Sequence, residues 1–290
     1  MIRLGTAVIL AAALGAASAP DLARARELYQ RTEYQASLNV LVSLHDNSQD
    51  TLELIGQDYF MLGEYKKATD AFDHAVALGR GSSELYVWAG RAYGRRAETS
   101  GPFSAPGLAS HARKYFETAV QLDISDKEAT GDLLDYYLEA PGFLGGGLNK
   151  AQDLAQKVLA ADPAEGQHVL AVLAEKSKDY TGAEAHLRRA IDLAPKQASR
   201  VMELARFLAK RGRVKESDGL FDQAMRMAPQ DHSILFYRAQ TYIEGRRNLN
   251  DARAMLQTYL RAPLSPGDPP RERAQELLSK ANSISNSAPE

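Results

Sequence analysis

Chemistry at an active site needs ligands, bases or nucleophiles at workable spacing, and this chain offers few. Its six histidines are His45, His74, His111, His168, His186 and His232. None forms His-Glu-x-x-His or another paired spacing, the arrangement that puts two metal ligands on one helix face. Cysteine is absent, which removes disulfides, thiolate metal sites and cysteine nucleophiles together. No Gly-x-Ser-x-Gly elbow and no Ser-x-x-Lys on a suitable turn supplies an activated serine. Gly145-Gly146-Gly147 ahead of Asn149 invites a phosphate-cradle reading, because exposed amides at a helix start attract anions. The run lacks the Gly-Lys-Ser/Thr ending of a P-loop and follows no strand, so a flexible linker capped by Asn149 is expected instead. No catalytic residue, metal site or cofactor is nominated, and the chain is read as a non-enzyme.

The elements that would position a binding surface are therefore the informative level. The 290 residues are 44% hydrophobic and 25% charged, an ordinary globular composition. With 35 basic against 37 acidic residues the net charge is −2, without the basic excess of a nucleic-acid binder or the polybasic cluster of a membrane-surface protein. Residues 1–19 have one charge, Arg3, then an uncharged run from Leu4 that ends in Ala17-Ser18-Ala19. That order is the pattern of a secretory signal, and the run is shorter than the ~20 residues of a membrane-spanning helix. Pro20 disfavours a cut after Ala19, so cleavage after Ala17 or Ser18 is expected. The mature chain would be periplasmic or secreted, with no stable membrane insertion.

After Pro20 the apolar residues recur at spacings of three and four, the helical period, with no strand alternation. A longer period lies on top. Pro163, Pro195 and Pro229 close the phrases VLAADP, AIDLAP and AMRMAP at intervals of 32 and 34 residues. Tyr180 with Ala183, and Val214 with Ser217, precede the last two, and GEYKKATDAFDHAVAL at 63–78 is a stronger copy of the same phrase. These residues resemble the tetratricopeptide repeat (TPR), a pair of antiparallel helices in about 34 residues. The resemblance extends over essentially the whole mature chain. Its alternation of bulky and small positions falls on Leu52, Ile55, Gly56, Tyr59, Tyr65, Ala68, Phe72 and Ala75, with Arg80 where the closing proline would stand. It falls again on Leu170, Ala171, Tyr180, Ala183, Leu187, Ala190 and Pro195, and on Val201, Leu204, Ala205, Leu208, Phe221, Ala224 and Pro229. Small residues are needed where helix axes come within ~8–10 Å, and bulky ones fill the flanking grooves.

The resemblance implies an all-α fold: a right-handed TPR superhelix, an α-solenoid of about seven helical hairpins plus a C-terminal capping helix. The repeats run about 20–48, 49–82, 83–126, 127–163, 164–197, 198–231 and 232–265, the cap 269–282, and 283–290 is read as a disordered tail. Two insertions break the rhythm, ETSGPFSAPGL at 98–108 and the longer YYLEAPGFLGGGLNKA from Tyr136 to Ala151. Each has an apolar tip beside Pro or Gly: Phe103, then Phe143 with Leu144. Stacking should set the two loops side by side, either as a docking edge or packed on each other to seal a joint. The paired phrases resemble a group of bacterial secreted TPR proteins, a likeness that supplies no function.

In the family the inner face of the first helix of each hairpin carries binding. Here it offers Trp88, Arg91 and Arg95, then Asp132, Asp135 and Glu139, then Arg206 and Lys210, then Phe236. No first helix has an Asn, so the Lys-Asn-Arg grip on a terminal carboxylate found in some TPR proteins is not expected. An acidic patch at 128–139 would instead lie between basic ones at 91–96 and 206–213, steering a protein or peptide partner. The implied function is a non-catalytic interaction scaffold of the bacterial cell envelope. A solute-binding TPR component of a transport system is the alternative, and an envelope enzyme a more distant one.

Overall fold

The structure is a computed structural model that describes residues 14–79, 81–264 and 267–286. Most of the expected leader falls outside these residues. Among them there are fifteen α-helices and no strand, in agreement with the all-α expectation. The chain forms two compact bodies, Met1–Leu133 and Leu134–Glu290. The N-terminal body holds α1 (Leu14–Gln30), α2 (Tyr34–Leu44), α3 (Gln49–Met61), α4 (Tyr65–Ala77), α5 (Ser83–Glu98) and α6 (Ala105–Leu122). The boundary lies within α7 (Lys127–Glu139). The C-terminal body continues with α8 (Leu148–Ala161), α9 (Pro163–Lys176), α10 (Tyr180–Leu193), α11 (Ala198–Lys210), α12 (Val214–Met227), α13 (Ser233–Glu244), α14 (Leu249–Arg261) and α15 (Arg271–Asn286).

Within each body the size rule is visible as contact. A Cβ on Gly56 would stand 2.6 Å from the Phe72 ring, and one on Gly90 would stand 2.5 Å from that of Phe116. Hairpins α3/α4 and α5/α6 thus close around positions that admit no side chain. Ala183 packs with Leu187 and Leu204, and Ala205 and Ala224 with Phe221, all buried.

The turn between the paired helices recurs as well. In five hairpins it ends the first helix on a left-handed residue: Thr32, Gly63, Lys178, Gly212 and Arg246. The same two hydrogen bonds accompany each, as in Gly63 N–H to Phe60 O and Glu64 N–H to Tyr59 O, or Lys178 N–H to Glu175 O and Asp179 N–H to Ala174 O. This is the Schellman closure, which satisfies carbonyls that the helix end would otherwise orphan. Three of the five positions carry a side chain in a conformation that favours glycine.

Pro163 is the first residue of α9 rather than the last of α8; Asp162 caps that helix, accepting from the amides of Ala164 at 3.0 Å and Glu165 at 3.1 Å. Proline is at home there because the first helical N–H needs no intrahelical partner. At the C-terminal end, Ala274, Leu277 and Ala281 of α15 cover the core of α13 and α14. Arg271 ties the turn down by donating to the carbonyls of Leu260 and Ala262. The helix continues to Asn286, beyond the point where the sequence reading ended the cap, and 287–290 lie outside the described residues.

Candidate functional site

The first insertion follows α5. Its last residues, 105–108, are not loop but the opening turn of α6, leaving 99–104 as the connection. Ser104 and Ala105 donate their amides to Gly101 O at 3.1 and 3.0 Å, and the Ser100 hydroxyl donates to Arg96 O at 2.6 Å. On this tied turn Phe103 is 101% exposed. The base of the loop is held by a polar aromatic cluster. The hydroxyls of Tyr93 and Tyr115 each donate to Asp73 at 2.7 Å, His111 stacks on Tyr93 at 5.0 Å, and Arg96 donates to Thr69 at 2.8 Å. Burial first, and then these bonds to Asp73, push both phenols well above the ordinary tyrosine range.

In the C-terminal body the second insertion forms a single 3-10 turn, Gly142–Leu144. The Tyr136 hydroxyl donates to Leu144 O at 2.9 Å, Gly147 N–H to Tyr137 O at 2.7 Å, and the Lys150 ammonium to Gly145 O at 2.9 Å. Gly146 sits so close to α7 that a Cβ there would lie 1.8 Å from the carbonyl oxygen of Ala140. The triple glycine is thus a tight turn rather than a flexible linker. Asn149 is not its cap: α8 starts at Leu148 with Gly147 in the capping position. Leu144 is half-buried, whereas Phe143 is 83% exposed. Neither tip ring packs against the protein.

The helix faces behave differently. Trp88 is half-buried, edge-on to Phe60 at 5.5 Å, with the Arg91 guanidinium 5.4 Å from its ring centre. Arg91 donates to Asp132 at 2.6 Å and to Glu128 at 2.8 Å. Burial alone would ease its proton off, but Asp132 and then Glu128 outweigh burial and raise its pKa. Arg95 pairs with Glu98 and lies over the Tyr65 ring. The expected separation into a basic patch at 91–96 and an acidic one at 128–139 therefore fails at its centre, because Arg91 and the acids at 128 and 132 neutralise each other. Asp135 and Glu139 remain exposed; partial desolvation by its surroundings, then Glu139, lifts the Asp135 carboxyl, against the pull of Lys176.

On α11, Arg206 and Lys210 are one turn apart. Lys210 approaches Glu175 at 3.8 Å. Arg206 is half-buried with its guanidinium 4.3 Å from the Tyr237 ring centre, and no carboxylate among the described residues pairs with it. Phe236 is a correction. It is 3% exposed and packs on Tyr237 and Tyr259 in the core beneath α15, so it offers nothing to a partner. Pattern reading missed a buried ion network: Arg200, 3% exposed, pairs with Glu165 of α9 and with Glu203 at 3.1 Å, and Glu203 lies 3.0 Å from His168 Nδ1. Glu165 and Arg200 stand near the starts of successive first helices, an offset that could have paired them. Among the described residues no cluster of three His, Cys, Asp or Glu could hold a metal, and no helix is long and apolar enough to cross a membrane.

No curated protein matches the chain in sequence. Residues 164–197, the α9/α10 hairpin, match the tetratricopeptide repeat family. A TPR protein from Parabacteroides merdae superposes with a TM-score of 0.55 at 12% identity, covering 91% of this chain and 98% of that one. The C-terminal part of a TPR repeat-containing protein from Cytophaga hutchinsonii gives 0.47 at 16% identity, over 89% and 99%. A human IFIT1 dimer with m7Gppp-AAAA gives 0.50 at 14% identity, over 88% and 60%. At such identities the likeness is one of fold. The chain carries a tetratricopeptide repeat at 164–197, within the all-helical fold shared by TPR proteins.

Proposed function

We propose that the chain is a non-catalytic protein-interaction scaffold of the bacterial cell envelope, docking its partner on the insertion loops of the third and fourth repeats. The observation that carries this reading is the pair of tied turns that hold Phe103 and Phe143 in solvent. A turn fixed by its own hydrogen bonds loses little entropy when a partner closes over it. Burying a phenylalanine side chain is worth about 1.5–3 kcal/mol, so each ring is a strong anchor that folding leaves unspent. Fold alone does not choose a partner. The near balance of charge favours protein over nucleic acid as that partner. The leader pattern at 1–19 supports the envelope, and a mature N-terminus at Ser18 or Ala19 is expected.

Affinity capture from envelope extract tests the reading. Wild-type chain should retain a defined protein that Phe103→Ala/Phe143→Ala loses, with the melting temperature of the variant unchanged. Equal capture by both refutes the loop assignment, and a collapse in stability would mean that the rings support the fold instead. Intact mass of the mature chain recovered from periplasm checks the address; full-length chain found in membranes alone would refute it.

A further inference from the structure

Three buried polar side chains in the N-terminal body serve neither the loops nor the helix faces. Asp58 of α3 is 0% exposed, and neither of its carboxylate oxygens has a hydrogen-bond partner. The Ser37 hydroxyl of α2 and the Tyr29 hydroxyl of α1 are likewise buried without one. Tyr29 belongs to the apolar cluster with Ala25, Leu41 and Leu54 through which the first hairpin sits on α3, and both Ser37 and Tyr29 lie near enough to Asp58 to feel its carboxyl. Elsewhere the buried acid Glu165 is answered by Arg200, and the half-buried Asp132 and Asp218 by Arg91 and Arg247. Among the described residues no charged side chain pairs with Asp58. Burial acts on it, opposed by the Ser37 hydroxyl; on the Tyr29 phenol burial acts first, then Tyr34, Asp58 and Glu84, against Arg91.

We propose that Asp58 is a proton-operated latch for the N-terminal hairpin: the neutral carboxyl lets α1 and α2 dock on α3, and the carboxylate loosens them. An unpaired charge in an apolar seat is tolerated by shedding the charge or by opening the seat to water. Burial lifts the carboxyl from 3.8 to about 7 when the hairpin is docked. A group whose docked pKa is raised binds its proton more tightly in the docked form, so docking is strongest in acid. It weakens as pH climbs from about 4 to about 7, then levels off. Opening gains up to about tenfold per pH unit inside that window and about a hundredfold between pH 5 and pH 8. Glu53 is the competing titrating group. Burial, then Glu84 and Asp50, raises it to about 7, against Arg26 of α1.

Hydrogen exchange on the full chain at pH 5, 6, 7 and 8, corrected for intrinsic rates, tests the latch. Protection of amides in 21–45 should fall about a hundredfold over that range relative to α12. In Asp58→Asn it should stay level, and in Glu53→Gln the fall should persist. A level wild-type profile overturns the proposal whatever the variants do. So does a fall that survives in Asp58→Asn or disappears in Glu53→Gln.

Discussion

Two glycines one turn apart on α5 make opposite predictions from the same substitution. Glycine in a helix interior costs about 1 kcal/mol relative to alanine, so Gly→Ala should stabilise wherever there is room. At Gly94 a new Cβ meets nothing within 4 Å, and Gly94→Ala should gain about 0.5–1 kcal/mol. At Gly90 it lies 2.5 and 2.6 Å from Phe116 Cε1 and Cδ1. The ring must retreat by about 1 Å to reach ordinary contact, yet Phe116 is 7% exposed and boxed in. Overpacking of this kind costs about 1–3 kcal/mol. Less the propensity gain of about 1 kcal/mol, Gly90→Ala should lose up to about 2 kcal/mol. Because stacked repeats unfold by local units, the probe should be local too. Trp88 is the only tryptophan and sits on the same helix, so its emission during thermal melting reports this hairpin. The two variants should bracket the wild type. A shift in the same direction for both would refute the helix-to-helix phase on which the repeat assignment rests.

Three further outcomes follow from the same geometry. Lys178 holds the left-handed turn position that Gly63 and Gly212 occupy elsewhere; Lys178→Gly should stabilise by about 0.5–1 kcal/mol, read as a higher melting temperature, whereas Gly212→Lys should lower it. Arg200→Met strands Glu165 in the core and should cost about 3–5 kcal/mol in denaturant unfolding, while Glu165→Met/Arg200→Met should recover most of it. Glu203 pulls the other way from Asp58. Burial would raise its carboxyl, but His168 and Arg200 outweigh burial and hold it below the ordinary 4.5. Its contribution is therefore present above that value and lost in stronger acid, so Glu203→Gln should flatten unfolding midpoints measured below pH 4.5.

The repeat was legible because it is written in side-chain size. Gly56, Ala68 and Phe72 announce a close helix contact from composition alone, and the interval between Pro195 and Pro229 gives its period. The turns were harder to read, since Thr32, Lys178 and Arg246 adopt a glycine-like conformation that their side chains do not advertise. Insertion limits slipped for a different reason: Ala105 and Pro106 read as loop yet start α6, where proline in the first turn costs nothing. Phe236 was misplaced because its ring turns into the core with Tyr259 beneath α15, a contact that its place on the helix face does not reveal. Arg91 and Asp132 looked like two separate charged patches. Only three-dimensional packing could show them spent on each other. Pro and Gly beside Phe103 and Phe143 marked two apolar loop tips but left a docking edge and mutual packing both open; only the folded turns show the rings exposed.

The central claim, that these two rings are where a partner docks, is tested most directly by photo-cross-linking. A photoreactive phenylalanine analogue placed at 103 or 143 in the full chain, and irradiated in the envelope, should join one and the same protein. The analogue at Val42 or Leu193, exposed apolar positions on α2 and α10, should join none. Equal labelling from all four positions, or none from 103 and 143, would contradict it.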